Sequence, residues 1–85
     1  MSEAKKVYAL IESWNYHVID VREFNHRAFW LSYPTVEQVW AVFDLVDRIW
    51  YTKEIVEKIV AGEYVDHDFE KSSVIVFIAE YEISE

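Results

Sequence analysis

The scarcity of glycine, proline and cysteine constrains this chain more than any other sequence feature. Its 85 residues include one Gly, one Pro and no Cys. Few turns can use the left-handed backbone that glycine adopts freely, so Asn, Asp and His have to provide it. Gly62 is the single glycine of the chain. It cannot supply the several glycines that a Gly-rich phosphate loop, a dinucleotide-binding fingerprint or a nucleophile elbow requires. The sequence therefore argues against nucleotide-dependent catalysis.

The chain has the length of one domain, residues 1–85, and enough apolar content to form a core. Hydrophobic residues make up 53% of it and aromatic residues 18%, which is ample apolar surface to offset the entropy of ordering. The absence of cysteine fits a reducing compartment. The longest uncharged apolar run, Val74 to Ala79, is too short to span a bilayer. We therefore expect a single-domain cytoplasmic protein that does not contact membranes.

The first segment shows a spacing that is typical of an amphipathic helix. Its apolar side chains recur at i, i+3, i+4 and i+7, and they are Ala4, Val7, Tyr8, Ile11 and Trp14. The spacing predicts a helix over residues 2–14 with Ser2 as its N-cap. The alternative is a strand from Lys6 to Ile11, which the poor alternation of that stretch disfavours.

The second segment is rich in β-branched and aromatic residues and predicts a hairpin. Strands over residues 18–24 and 27–33 flank Asn25-His26, a two-residue loop of the kind found in tight turns. In that register Ala28 and Trp30 face the core, whereas Arg27 lies on the opposite face.

The third segment is helical. Thr35 and Gln38 have the spacing of a capping box, and Gly62 is suited to end a helix. Residues 36–61 form either one long helix or two helices that break near Tyr51-Thr52, and the positions of the apolar residues favour the break.

The last segment predicts a loop followed by a strand. Residues 63–71 are polar and acidic, whereas the run from Ser73 to Ile83 is apolar and then alternating. The predicted fold is therefore α+β, in the order α-β-β-α-(α)-β. Its sheet has three strands, alternatively four, is mainly antiparallel, and packs on two or three helices.

The formal charge of −8 is concentrated in the second half of the chain. Residues 34–85 carry twelve acidic and four basic side chains, whereas residues 1–33 are balanced. Such a surface repels nucleic acid and anionic membranes and attracts basic proteins. The helical acids are offset by three bases, Arg48, Lys53 and Lys58. The uncompensated acids therefore lie between Glu63 and Glu85.

We predict the surface of this last segment as the partner-binding site. Aromatic side chains among its acids are preferred at interfaces and attract Arg and Lys. The predicted residues are Glu63, Tyr64, Asp66, Asp68, Phe69, Glu70, Glu80, Tyr81 and Glu82. Asp47 is a further candidate, as a buried interface charge, because a regular helix would direct it into an aromatic stripe. A bend in the helix would instead let Asp47 reach water or a cation.

The sequence predicts neither a metal site nor a catalytic one. Residues 66–70 resemble the opening of an EF-hand loop, but Lys71 stands where that loop needs Gly. His17, His26 and His67 lack the i, i+4 spacing of a zinc site, and the sequence identifies no neighbour that would tune a general base. We therefore expect no cofactor.

These features favour a small acidic protein-binding module rather than an enzyme. We expect it to inhibit a basic, nucleic-acid-binding partner such as a nuclease. By analogy of type alone, phage-encoded anti-CRISPR proteins, DNA mimics and immunity proteins of nuclease toxins share its size and acidity. One alternative is a homo-oligomeric module, for example a homodimer, with no inhibitory role. The other is a small enzyme or ligand-binding domain, which a pocket around Asp47 would support.

Overall fold

The described part of the chain forms a four-stranded antiparallel sheet with two short helices on one face. The structure, a computed structural model, describes residues 5–83. Its strands are β1 (Lys5–Tyr16), β2 (Val21–Trp30), β3 (Val65–Asp68) and β4 (Ser72–Ile83), and its helices are α1 (Val36–Val42) and α2 (Lys53–Val60). A short 3-10 turn, Asp47–Ile49, separates the helices. The order along the chain is β-β-α-α-β-β, and the order across the sheet is β2-β1-β4-β3.

The predicted first helix is wrong, because its residues form the central strand β1. This strand pairs with β2 on one side and along its full length with β4 on the other. Four consecutive residues, Ala9 to Glu12, are at most 5% exposed. A strand that is buried on both faces shows little alternation, and its apolar run can also match helical spacing. The predicted N-cap, Ser2, lies outside the described residues.

The predicted hairpin turn at Asn25-His26 is also wrong. Both residues lie within β2, where Asn25 pairs with Glu12 and His26 with Ile11. The chain instead reverses at residues 17–20, where Asp20 has a φ of 50°. Asp is one of the few non-glycine residues that tolerate this conformation. An acidic residue thus supplies the left-handed backbone at a turn that contains no glycine.

The helical region breaks in two, as the apolar pattern predicts, but the break begins after Val42, nine residues before the predicted position near Tyr51-Thr52. The Thr35 and Gln38 capping box is present at the start of α1. Helix α1 ends at Val42, and Thr52 caps α2. Gly62 follows α2 with a φ of 94°, a conformation that glycine adopts without strain.

The sheet differs from the predicted one in strand number and order. The predicted strand over residues 73–83 is confirmed as β4, which begins one residue earlier. The predicted loop over residues 63–71 contains the short edge strand β3. With β1 in place of the first helix, the sheet has four strands and the predicted order α-β-β-α-(α)-β is wrong.

The core lies between the helices and one face of the sheet. Its buried residues come from both layers, and they are Leu10, Val39, Phe43, Tyr51, Val56, Ile59, Val74 and Val76. The molecule is 50 Å long but only 19 Å thick, because a single layer of helices covers the sheet. Both helices lie on one side, so the other side, here called the open face, carries no helix within residues 5–83. No helix in this range is long and apolar enough to cross a membrane.

Candidate functional site

A β-bulge in β2 places a cation over the core face of the sheet. Leu10 pairs with Ala28 and Ile11 pairs with His26, which leaves Arg27 as an extra residue. A bulge of this kind turns two successive side chains to the same face of the sheet. Arg27 therefore lies on the helix side, beside Ala28, and the prediction that it lies on the opposite face is wrong.

Arg27 joins two carboxylates that come from different parts of the chain. Its Nη1 donates to Glu12 Oε1 at 3.0 Å and its Nη2 donates to Asp47 Oδ2 at 3.1 Å. The guanidinium also lies over the ring of Phe43, with Cζ 5.5 Å from the centroid. Burial lowers the pKa of Arg27, but its hydrogen bonds to Glu12 and Asp47 outweigh that effect and raise the pKa above its ordinary value. The bridge ties β2 to the segment between the helices.

Glu12 is a buried carboxylate whose charge is compensated by three donors. Its side chain is 6% exposed. Besides Arg27, it accepts hydrogen bonds from Asn25 Nδ2 and from the hydroxyl of Tyr51, each at 3.3 Å. Burial, followed by the nearby charge of Glu12, raises the pKa of Tyr51 well above its usual value. Tyr51 therefore remains a neutral hydrogen-bond donor at physiological pH.

Asp47 reaches a cation, because the chain leaves the helical path after Val42. Its backbone N–H donates to Asp44 Oδ1 at 2.9 Å, and this hydrogen bond lowers the pKa of Asp44. The side chain of Asp47 is 29% exposed and paired with Arg27. The bend thus converts the candidate interface charge into one end of the Arg27 bridge.

A pocket of about 150 Å³ lies against this charged cluster, and we call it the acidic pocket. Aromatic side chains form most of its walls, and they are Trp14, Trp50, Tyr51 and Phe69. The polar lining comes from Glu12, Asp47 and His67. Trp14 stacks on Phe69 with centroids 6.0 Å apart, and Trp50 meets Phe69 edge-on at 5.5 Å. A pocket around Asp47 is the observation expected for a ligand-binding domain.

His67 contributes an unsatisfied nitrogen to this region. Its ring meets Tyr51 edge-on at 5.2 Å, and its Nε2 is buried with no hydrogen-bond partner among the described residues. A buried polar atom of this kind carries a free-energy cost unless another group bonds to it. Within residues 5–83, no group of three or more His, Asp or Glu side chains is arranged to hold a metal ion.

The open face of the sheet exposes large apolar side chains. Phe24 is 60% exposed, Phe29 is 59% exposed and Tyr81 is 41% exposed. His26 stacks on Phe29 with centroids 5.5 Å apart, and its Nε2 lies 3.2 Å from the hydroxyl of Tyr81. His26 is therefore part of this aromatic layer and not a turn residue. The layer leaves a broad apolar surface with no cover from the described residues.

Four of the predicted acidic residues lie along one edge of the sheet. Asp66 and Asp68 belong to the edge strand β3, and Glu63 and Glu70 lie just before and just after it, all of them exposed. Two predicted aromatic residues also belong to the open face. Tyr81 lies on it directly, and Tyr64 meets Phe77 with centroids 5.2 Å apart.

The other three predicted residues lie elsewhere. Phe69 packs against the core and lines the acidic pocket. Alternation along β4 directs Glu80 and Glu82 to the helix side, and Glu80 lies 3.6 Å from Lys6. Asp66 pairs with Ile75, so Glu80 lies five residues, or roughly 17 Å, further along β4. The predicted patch is therefore divided between two faces of the sheet.

Sequence reasoning missed Glu12, Arg27 and Tyr51 as members of one site. One signal was available in the alternation Tyr8, Leu10, Glu12, Trp14, Tyr16, which places five residues on one face of a strand. No comparable sequence pattern indicates the bulge that turns Arg27 to the helix side of the sheet.

Comparison of the chain with protein-family models, with curated proteins and with solved structures yields no match. What the protein binds is therefore inferred from its own geometry and charge.

Proposed function

We propose that this protein is a small, non-enzymatic module that binds a basic protein through the open face and the acidic edge of its sheet. The observation that carries the proposal is the exposure of Phe24, Phe29 and Tyr81 on a face that the described residues leave without cover. The edge of this face opposite β2 carries Asp66 and Asp68 on β3. Exposed apolar patches of this size mark interaction sites. Acidic side chains on the same face select a partner with Arg and Lys.

The dimensions of the open face suit a protein interface. The four strands contain 38 residues, of which β3 contributes only four. At about 3.3 Å per residue and about 4.8 Å between strands they cover roughly 600 Å². One side of a standard interface buries about 800 Å², so the sheet face with its edge approaches that size. The net charge of −8 opposes direct binding to nucleic acid or to an anionic membrane.

The proposed partner is a nucleic-acid-binding protein, such as a nuclease, in the cytoplasm. A cationic surface that holds phosphates also attracts the carboxylates of the β3 edge, so a bound module would compete with nucleic acid. This mode corresponds to the inhibitor type of anti-CRISPR, DNA-mimic and immunity proteins, and it requires no catalytic group.

Charge reversal at the β3 edge tests the electrostatic part of the proposal. Binding to a panel of purified nucleases is measured by calorimetry at about 50 mM and about 300 mM salt. We expect Asp66→Lys with Asp68→Lys to weaken binding at low salt by at least about tenfold. The control, Glu54→Lys with Glu57→Lys on exposed α2 positions, changes net charge equally and should weaken it much less. Equal losses, or no binding to any nuclease at low salt, would refute the proposal.

Truncation on the open face tests the apolar part. Phe29→Ser removes a ring that is 59% exposed on the open face, near the end of the edge strand β2, whereas Leu31→Ser removes a side chain that is 85% exposed beyond the end of β2. We expect the first change to weaken binding by about tenfold or more and the second by less than about twofold. Similar effects of the two changes would place the interface elsewhere.

A homodimer is the second candidate, and one feature of the sheet favours it. Register places Arg22, Asn15, Ser73 and Asp68 in one row across the four strands. If two open faces stack about a two-fold axis parallel to the strands, Arg22 of each copy meets Asp68 of the other. Light scattering separates the candidates, because a dimer at micromolar concentration favours the homodimer and a monomer favours the partner-binding module.

A further inference from the structure

We propose that the acidic pocket binds an organic monocation, a guanidinium or an alkylated ammonium group. The proposal goes beyond the partner-binding surface described above, because the pocket lies on the helix side of the sheet and can be tested with small cations alone. Three independent properties of the pocket support it, namely its charge, its walls and its size.

The charge of the pocket is not balanced within the protein. Glu12 and Asp47 are the two carboxylates that line the pocket, and they share the single guanidinium of Arg27. The carboxylates therefore outnumber the cation in this cluster. A bound monocation reduces the excess, whereas an anion would increase it. The chemistry of the lining thus selects a positive ligand.

The walls of the pocket present aromatic rings, to which cations are attracted. Trp14 and Phe69 are stacked with an interplanar angle of 19°, and Trp50 stands edge-on to Phe69 at 75°. Four aromatic side chains line the pocket, a composition similar to that of the aromatic cages that hold alkylated ammonium groups, and Trp is the strongest such partner. Inorganic cations gain less here, because a strongly hydrated ion needs several oxygen ligands, whereas the two carboxylates of the lining are already bonded to Arg27.

The size of the pocket limits the ligand to a side-chain head group. Its volume of about 150 Å³ equals that of roughly five water molecules, which fits a guanidinium with its first methylene groups. Pockets for drug-sized ligands begin at about 300 Å³. The carboxylates of Glu12 and Asp47 in the lining accept hydrogen bonds, so a ligand with N–H groups suits the site better than a neutral apolar one.

The same cation can come from a free small molecule or from an Arg or Lys side chain of a protein. The surroundings of the pocket favour the Arg or Lys side chain of a protein as the source. Leu45 and Ile49, from the turn that carries Asp47, are 81% and 71% exposed. Trp14 and Phe69 also line a shallow depression formed with residues 70–72. A peptide that inserts its cationic side chain would cover these surfaces.

Titration with methylguanidinium tests the site, and N-methylurea serves as its neutral counterpart of similar shape. The readout is the indole N–H signals of Trp14 and Trp50 in a nitrogen-15 spectrum. We expect saturable shifts with methylguanidinium and at least about tenfold weaker binding of N-methylurea. Tetramethylammonium should bind as well. Absence of saturation with either cation, or equal binding of N-methylurea, would overturn the proposal.

Variants separate the pocket from general attraction to a negative protein. Trp50→Leu and, as a second test, Phe69→Leu keep the net charge and should each weaken methylguanidinium binding by about fivefold or more. Val18→Ala, in the turn at residues 17–20 and 73% exposed, should leave it unchanged. Equal effects of all three changes would refute the assignment. A capped Gly-Arg-Gly peptide distinguishes the sources, since tighter binding than methylguanidinium indicates a side chain and weaker binding indicates a free cation.

Discussion

Arg27→Met removes the guanidinium that lies between Glu12 and Asp47 and leaves most of its aliphatic volume in place. Loss of one partner of a buried ion pair costs about 3–5 kcal/mol. Here the side chains of Arg27 and Asp47 are 24% and 29% exposed, and only that of Glu12 is nearly inaccessible at 6%. We therefore expect a loss of about 2–3 kcal/mol in the free energy of unfolding, most of it from the uncompensated charge of Glu12.

The sign of a second change identifies the origin of this loss. In the Arg27→Met background, Glu12→Gln removes the charge that has lost its cation but keeps a side chain of the same shape. We expect the double variant to be more stable than Arg27→Met alone by about 1–2 kcal/mol. In the wild-type background the same Glu12→Gln change is expected to destabilise, because it breaks an existing pair.

Urea unfolding followed by tryptophan fluorescence measures these differences. The control is Lys6→Met, which breaks the Lys6–Glu80 pair at 3.6 Å with both side chains more than half exposed. A pair of that kind contributes at most about 0.5–1 kcal/mol. If Arg27→Met costs no more than Lys6→Met, or if Glu12→Gln further destabilises Arg27→Met, the bridge does not compensate a buried charge and the reasoning is refuted.

Three further predictions concern the stability of the fold, each checked by urea unfolding. The raised pKa of Tyr51 means that its contribution is complete below about pH 10 and is lost above it, by up to about 1.4 kcal/mol per pH unit. Tyr51→Phe should lack that part of the alkaline loss. Gly62→Ala meets no atom within 4 Å but has a φ of 94°, so we expect a cost of about 1 kcal/mol from the backbone alone. Thr35→Ala removes the capping box of α1 and should also cost about 1 kcal/mol, whereas Ser32→Ala, at an exposed residue that caps no described helix, should cost less than about 0.5 kcal/mol.

The parts of the fold with strong local signals were predictable from the sequence. The capping box at Thr35 and Gln38, the start of a second helix after Thr52 and the role of Gly62 beyond the end of α2 each depend on a few neighbouring residues. The end of α1 at Val42 was not predicted. Strand β4 was predictable because its apolar run is too short for a helix and ends in alternation. These features are local, so one sequence contains the information that determines them.

The central strand was not predictable, because tertiary burial erased its pattern. Ile11 and Ala9 are covered by the aromatic layer of the open face, and Leu10 and Glu12 face the core. Two apolar faces give a continuous apolar run, which fits a helix as well as a strand. The turn at residues 17–20 carries Val18 and Ile19, exposed by 73% and 65%, where turns usually have polar residues. The apolar side chains at residues 17–20 gave no indication of a turn, whereas Asn25-His26 has the composition of one.

Only some residues of the acidic pocket could be predicted from the sequence. Asp47 was identifiable as a carboxylate beside aromatic residues, but its cation comes from a bulge in β2, twenty residues away. The register of β2 against β1 determines which side chains meet. The residues next to Arg27 in the sequence do not determine that register. The acids of the β3 edge were identifiable from composition, whereas their separation from Glu80 and Glu82 follows from the pleat of β4.

The most direct test of the proposed function is a map of the bound surface. Nitrogen-15-labelled protein is titrated with the nuclease of the panel that binds most tightly, and amide shifts are followed at low salt. We predict that the changes concentrate at Phe24, Phe29 and Tyr81 on the open face and at Asp66 and Asp68 on the β3 edge. Changes confined to the exposed surfaces of α1 and α2, with the open face unaffected, would contradict the account.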